Sequence, residues 1–258
     1  MSPRLIHTGQ VIVDVVMAVP EVPTPGGDVV ATSVNETAGG GLNVMVAAIR
    51  DDLPVVFAGR FGSGHYGSVV RDALAASGAS VVNDRPRHKD SGFCIALVDA
   101  NAERTFVTYP GAEAELSVAD LEASAVRAGD LVYVTGYGLA HESNAAALTE
   151  WLPSLPDGVL VLFDPSPLIA TLDRRVVDVV LARADIVSVN EREGALMTDA
   201  TEIDSIAEQL LGQVRPGASV VLRTGPDGCR IASPGRPTRS VPGFAVQAVD
   251  SNGAGDAH

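Results

Sequence analysis

The sequence predicts an α/β protein: a three-layer α/β/α domain with a mostly parallel central sheet and a small β-sheet lid. Three observations lead there. Short aliphatic runs alternate with helix-length segments through the second half of the chain, the pattern of a parallel sheet covered on both faces. Aromatic residues are only 4% against 46% hydrophobic residues, so Val, Ala and Leu fill the core. Two stretches, at about 15–36 and 90–112, break the alternation with turn residues and a hairpin, and these supply the lid.

Taken in order, LIHTGQVIVDVVMAV (5–19) reads as an opening strand with its exit. EVPTPGGDVVATSV is turn-rich and then alternating, an excursion carrying a strand. AGGGLNVMVAAIRDD (38–52) is a glycine turn feeding a helix, PVVFAG (54–59) a strand, and HYGSVVRDALAASG (65–78) a helix closed by glycine. SGFCIALVD and ERTFVTYPG form a hairpin around ANAE. Helices near 117–127, 141–152, 172–183 and 201–213 then alternate with strands DLVYVTG, VLVLFD, ADIVSVN and SVVLRTG.

The 258 residues fit a single domain, read as 1–258, with a substantial core. A formal net charge of −14 argues against nucleic acid as a partner, because phosphate neutralisation needs a basic surface. No signal-peptide core or membrane-length apolar run is present, so a cytoplasmic enzyme with no membrane partner is the expectation. Cys94 and Cys229 follow no metal-ligand spacing and read as buried thiols. Lys89 is the only lysine and lacks the glycines of a GxxxxGK[ST] phosphate loop.

Ligands of open α/β sheets gather at the C-terminal ends of strands, where Asp14, Asp164, Asn190, Thr224 and Gly225 are expected. Four motifs stand out. In GAGD, backbone N–H groups of Gly253, Ala254 and Gly255 can form an anion hole, and Asp256 beside it can accept a proton from an attacking hydroxyl. A capped turn is the competing reading. In AGGGLNVMVAA, glycines 39–41 allow close backbone approach and Asn43 offers a donor and an acceptor, as for a polyol; a tight packing turn fits equally well. NERE places Asn190 and Glu193 on one helical face, where the carboxylate can orient water on Mg²⁺, or simply cap the helix. RTGPDG (223–228) either lies along a nucleotide's phosphates or is a β-turn. GRFGSGHYG also satisfies G-x-G-x-x-G at Gly62, Gly64 and Gly67, with Asp84 about 20 residues on, a dinucleotide fingerprint in letter.

The order of these motifs, over essentially the whole chain, resembles the ribokinase-like (PfkB) sugar and nucleoside kinases. GQVIVD looks like the opening strand whose aspartate, Asp14, contacts substrate hydroxyls. AGGGLNVMVAA resembles the substrate-side motif, with Gly40, Gly41 and Asn43 at matching places. FAGRFGSGHYGSVVRDALAASG is similar to the first signature, which accounts for the fingerprint without NAD. NERE matches N-x-x-E, implying nucleotide binding by Asn190 and magnesium binding by Glu193 through water. RTGPDG resembles the ATP-contacting strand end, implying roles for Arg223, Thr224, Gly225 and Gly228. VDSNGAGD is similar to D-T-x-G-A-G-D, which maps Asp256 to the catalytic base and Gly253, Ala254 and Gly255 to the anion hole. Ser251 stands where a threonine is familiar, and His258 where a phenylalanine is common. The resemblance implies ATP and Mg²⁺ as cofactors, in some members a monovalent cation such as K⁺, and a homodimer through the lid. It also leads one to expect a further C-terminal segment after residue 258, continuing as a helix from the GAGD loop.

The implied reaction is transfer of the ATP γ-phosphoryl group to a hydroxymethyl group of a sugar or sugar acid. A nucleoside acceptor, an NAD-dependent oxidoreductase using the 62–67 glycines, and a non-catalytic sugar or nucleotide sensor remain the alternatives.

Overall fold

The computed structural model describes residues 2–85, 87–246, 253, 255 and 256. The strands are β1 (Leu5–His7), β2 (Val11–Ala18), β3 (Ser33–Gly40), β4 (Val55–Phe57), β5 (Ser80–Val81), β6 (Phe93–Val98) and β7 (Arg104–Tyr109). They continue as β8 (Leu131–Thr135), β9 (Leu160–Asp164), β10 (Ile186–Asn190), β11 (Ser219–Arg223), β12 (Cys229–Ala232) and β13 (Arg239–Val241). The helices are α1 (Leu42–Arg50), α2 (His65–Ser77), α3 (Val118–Glu122), α4 (Gly136–Leu139), α5 (Glu142–Trp151), α6 (Arg174–Leu181), α7 (Glu191–Met197) and α8 (Ile203–Leu211).

The large sheet has the order β13-β12-β11-β10-β9-β8-β1-β4-β5. It is parallel from β11 to β5, and β12 and β13 close one edge antiparallel. Alternation along each strand splits the core into two layers. Ile6, Val132, Val134, Val161, Phe163, Val187, Val189, Val220 and Leu222 face one way and pack with Leu148, Trp151, Val177, Val180, Ile206 and Leu210 from α5, α6 and α8. Leu5, Val55, Phe57 and Tyr133 face the other way, onto Met45 of α1 and Val70 and Leu74 of α2. Among the described residues no helix is long and apolar enough to cross a membrane.

The smaller sheet has the order β3-β2-β6-β7. Its strands begin earlier than the expected 15–36 stretch, because the opening run 5–19 is two strands rather than one. Thr8 donates both its N–H (3.2 Å) and its hydroxyl (2.8 Å) to the Tyr133 carbonyl, and the Gly9 N–H turns back onto His7 Nδ1 at 3.2 Å. These bonds end β1, and the chain leaves the large sheet before β2 begins. Asp14 therefore lies inside β2, beside Thr37 of β3 and Cys94 of β6, instead of past the end of a strand. The AGGG glycines are also shared between elements: Gly39 and Gly40 finish β3, and only Gly41 leads into α1.

Candidate active site

The strand ends of the large sheet bring two of the motifs, NERE and RTGPDG, together with Asp164 and Ser188. Arg223, the last residue of β11, reaches across β10 and β9. One guanidinium nitrogen donates to Asp164 Oδ2 (2.9 Å) and Ser188 Oγ (2.8 Å), and the other to Glu193 Oε2 (3.2 Å). All three charged side chains are nearly enclosed, at 11% exposure for Arg223, 12% for Asp164 and 3% for Glu193. Such a cluster persists only because each carboxylate has a cation and hydrogen bonds to offset its lost hydration.

NERE folds as a full capping box: Glu193 N–H donates to Asn190 Oδ1 and Asn190 N–H to Glu193 Oε2, both at 2.8 Å. The capped-helix reading is thus realised, but the cap is buried rather than solvated. Burial pushes the Glu193 carboxyl up, the Asn190 N–H bond pulls it back, and the neighbouring Asp164 adds to the rise.

Thr224, Gly225 and Gly228 form the turn from β11 into β12, closed by Thr224 N–H to Gly228 O at 2.8 Å. Gly228 has φ +91°, and a Cβ there would lie 2.0 Å from the Val241 carbonyl, so this is a glycine-demanding β-turn. The turn leaves the Thr224 hydroxyl buried and without a partner among the described residues.

Apart from this cluster, Asn43 on α1 donates to Asp256 Oδ2 at 3.0 Å. Gly253, with φ +72°, lies against the same side chain: a Cβ on it would be 2.7 Å from Asn43 Nδ2. A Cβ on Gly255 would meet open space. Burial raises the Asp256 carboxyl, the Asn43 bond opposes that rise, and Asp164 adds to it. Asp14 is raised as well, first by burial and then by the charge on Asp256. No described residue donates a hydrogen bond to the half-buried Asp14 carboxylate. Ala254, with Ser251 and His258, lies outside the described residues.

Gly40 ends β3 with φ +60°. The Gly41 N–H is taken by the Gln10 carbonyl at 2.8 Å, and a Cβ on Gly41 would fall 2.2 Å from His7 Cε1. Gly41 is therefore required for close packing, and its amide is not available to a ligand. His7 belongs to none of the four motifs. Full burial pushes its imidazole down to about 3, and the ring stacks on Tyr133 at 5.1 Å. A histidine within an apolar opening strand was the available signal. Asp164 was flagged only by its place after a strand, and Ser188 by nothing.

The dinucleotide fingerprint has a different explanation. The Asp90 carboxylate accepts the N–H groups of Gly64 (3.1 Å), Tyr66 (3.2 Å), Gly67 (2.7 Å) and Ser91 (2.7 Å). An internal carboxylate thus sits where a pyrophosphate would have to bind at the start of α2.

Among the described residues no group of three or more His, Cys, Asp or Glu is placed to hold a metal ion. The Asn190 and Arg223 bonds to Glu193 both fall on Oε2.

The chain matches the pfkB family carbohydrate kinase profile over residues 3–258. It is 29% identical to the uncharacterized sugar kinase YegV of Escherichia coli (strain K12) over 255 residues, covering 97% of this chain and 78% of that one. It is 26% identical to the ribokinase of Haemophilus influenzae, covering 99% and 83%. The fold superimposes on the Arabidopsis thaliana ribokinase complexed with ribose and ATP with a TM-score of 0.76 at 22% identity, covering 100% of this chain and 83% of that one. The fold is ribokinase-like, and the chain belongs to the pfkB family of carbohydrate kinases, phosphotransferases with an alcohol group as acceptor.

Proposed function

We propose that this protein is an ATP-dependent sugar kinase that moves the γ-phosphoryl group onto a hydroxymethyl group of a sugar or sugar acid. The observation carrying this reading is the Asn43–Asp256 bond, which joins the polyol motif on α1 to the GAGD loop 213 residues away. It sets a carboxylate of raised pKa beside the glycine turn, close enough for its charge to raise the Asp14 carboxyl.

In this reading Asp14 and Asn43 hold the acceptor by its hydroxyls, with Gly40 and Gly41 shaping the backbone around them. Asp256 takes the proton of the attacking hydroxyl. Its raised pKa makes it a better proton acceptor near neutrality than an exposed aspartate. The amides of Gly253, Ala254 and Gly255 receive the charge of the transferring group. Asn190, Arg223, Thr224, Gly225 and Gly228 line the nucleotide side, where the unpartnered Thr224 hydroxyl is ready for a phosphate or ribose oxygen. Glu193 would orient water on Mg²⁺, and the ion, when bound, would screen the phosphate charge. The smaller sheet would act as a lid that excludes water from the cleft. Phe106, Val107 and Tyr109 on its β7 edge are 58%, 62% and 60% exposed, which favours a homodimer through the lid. A cytoplasmic location belongs to the same reading.

The test is product analysis. Incubation with MgATP and a turned-over sugar should give a phosphomonoester whose phosphorus couples to two methylene protons. Phosphorus coupled to a single ring proton would refute hydroxymethyl transfer.

A further inference from the structure

The smaller sheet joins the large domain through two chain crossings at its β6–β7 end, and both pass a single buried side chain. Glu113, 3% exposed, lies just after β7 in a short 3₁₀ turn, Ala112–Ala114. One carboxylate oxygen accepts the Gly92 N–H at 2.8 Å, on the chain entering β6. The other accepts the Gly111 N–H at 2.6 Å, on the chain leaving β7. The two crossings touch: a Cβ on Gly111 would lie 2.2 Å from Gly92 N, and a Cβ on Gly92 would lie 2.3 Å from Glu113 Oε1. The Gly92 carbonyl in turn accepts from Val13 N–H at 3.2 Å, one residue before Asp14. The Glu113 backbone is fixed to the large domain, since its carbonyl accepts from Asn144 Nδ2 of α5 at 2.9 Å. Asp90 adds a second anchor by capping α2 from the start of the same crossing.

We propose that Glu113 is a positioning residue, the clamp that sets the angle of the smaller sheet and so the place of Asp14 relative to Asp256. Two backbone N–H groups share one carboxylate, so the crossings are held together at a fixed spacing. A sheet hinged there can tilt only if at least one of these bonds lengthens. The clamp fixes where the acceptor is held and leaves the nucleotide side untouched. Its activity consequences rest on the kinase reading, whereas its structural consequences do not.

Glu113→Gln keeps the size but replaces one acceptor oxygen by an NH₂ group facing a backbone N–H, and Glu113→Asp keeps both acceptors on a shorter stem. Hydrogen exchange of the intact chain is the direct readout. For Glu113→Gln we expect the amides of Gly92 and Gly111, with those of β6 and β7, to exchange roughly ten- to a hundredfold faster, while β8 to β11 stay unchanged. Kinetically, acceptor KM should rise about tenfold or more with ATP KM within about twofold, and acceptor-independent ATP hydrolysis should rise relative to transfer. Glu113→Asp should recover part of each effect. Unchanged exchange at 92 and 111 in a folded Glu113→Gln protein overturns the clamp. Faster exchange spread evenly over both sheets overturns it too, as it marks general destabilisation. If Glu113→Gln does not fold, Glu113→Asp carries the same exchange test. Absence of transfer in the wild type with every acceptor refutes the kinase reading and leaves the exchange result to judge the clamp.

Discussion

Replacing Arg223 by methionine tests the electrostatic logic of the site most sharply. The change keeps an unbranched stem and removes a guanidinium that holds Asp164 at 2.9 Å, Ser188 at 2.8 Å and Glu193 at 3.2 Å. Both carboxylates are nearly enclosed, so water cannot fully replace the lost partner. Breaking a buried ion pair from one side costs about 3–5 kcal/mol. For a chain of this size each kcal/mol moves Tm by roughly 2–4 °C, so Arg223→Met should melt about 6–20 °C below the wild type. Thermal unfolding followed by circular dichroism, with urea titration at a fixed temperature, would measure it. The double variant Arg223→Met, Glu193→Gln should regain part of the loss, because glutamine can still accept the Asn190 N–H without leaving an unpaired charge. A loss below about 1 kcal/mol in the single variant, the size of an exposed pair, would refute the reasoning.

Asp256→Asn should lower kcat by roughly a hundredfold or more while KM for the acceptor moves little, since asparagine retains an oxygen for the Asn43 donor; steady-state kinetics reads both. The same variant should be more stable than the wild type at neutral pH. A carboxyl held above its ordinary value of 3.8 favours the folded state while protonated, and that advantage is lost as pH rises through the raised value. The acid limb of the wild-type rate profile should accordingly lie above 3.8, with activity lost on acidification as Asp256 takes up its proton. Asp14→Asn should raise the acceptor KM at least tenfold and leave the ATP KM nearly unchanged. Asp90→Ala should cost about 2 kcal/mol by freeing the N–H groups at the start of α2, and neither it nor the wild type should bind NADH in a fluorescence titration.

Much of this architecture could be read from the chain because local and tertiary preferences agree. The aliphatic strands β8 to β11 sit where their runs predicted, and the β6–β7 hairpin brackets ANAE as expected. The opening stretch misled for a physical reason. Periodicity records burial, and both β1 and β2 are apolar, so nothing in 5–19 marks the change of sheet except Gly9 and Gln10. The fingerprint at 62–67 misled for another: the carboxylate that satisfies its N–H groups comes from Asp90, a long-range pairing that spacing rules do not see. Asp256, Asn43 and Asp14 stand out through their motifs, but the bond between Asn43 and Asp256 does not, since those two are joined only by the fold. Arg223 was found as part of a turn motif, while its guanidinium link to Asp164 and Glu193 depends on three parallel strands in register.

Phosphoryl transfer at Asp256 is tested by ADP release from MgATP across pentoses, hexoses, sugar acids and nucleosides, run side by side on the wild type and Asp256→Asn. The expected result is ADP release that depends on a sugar or sugar acid and falls roughly a hundredfold or more in the variant. Equal release from both proteins, or none from the folded wild type with any acceptor, would contradict it.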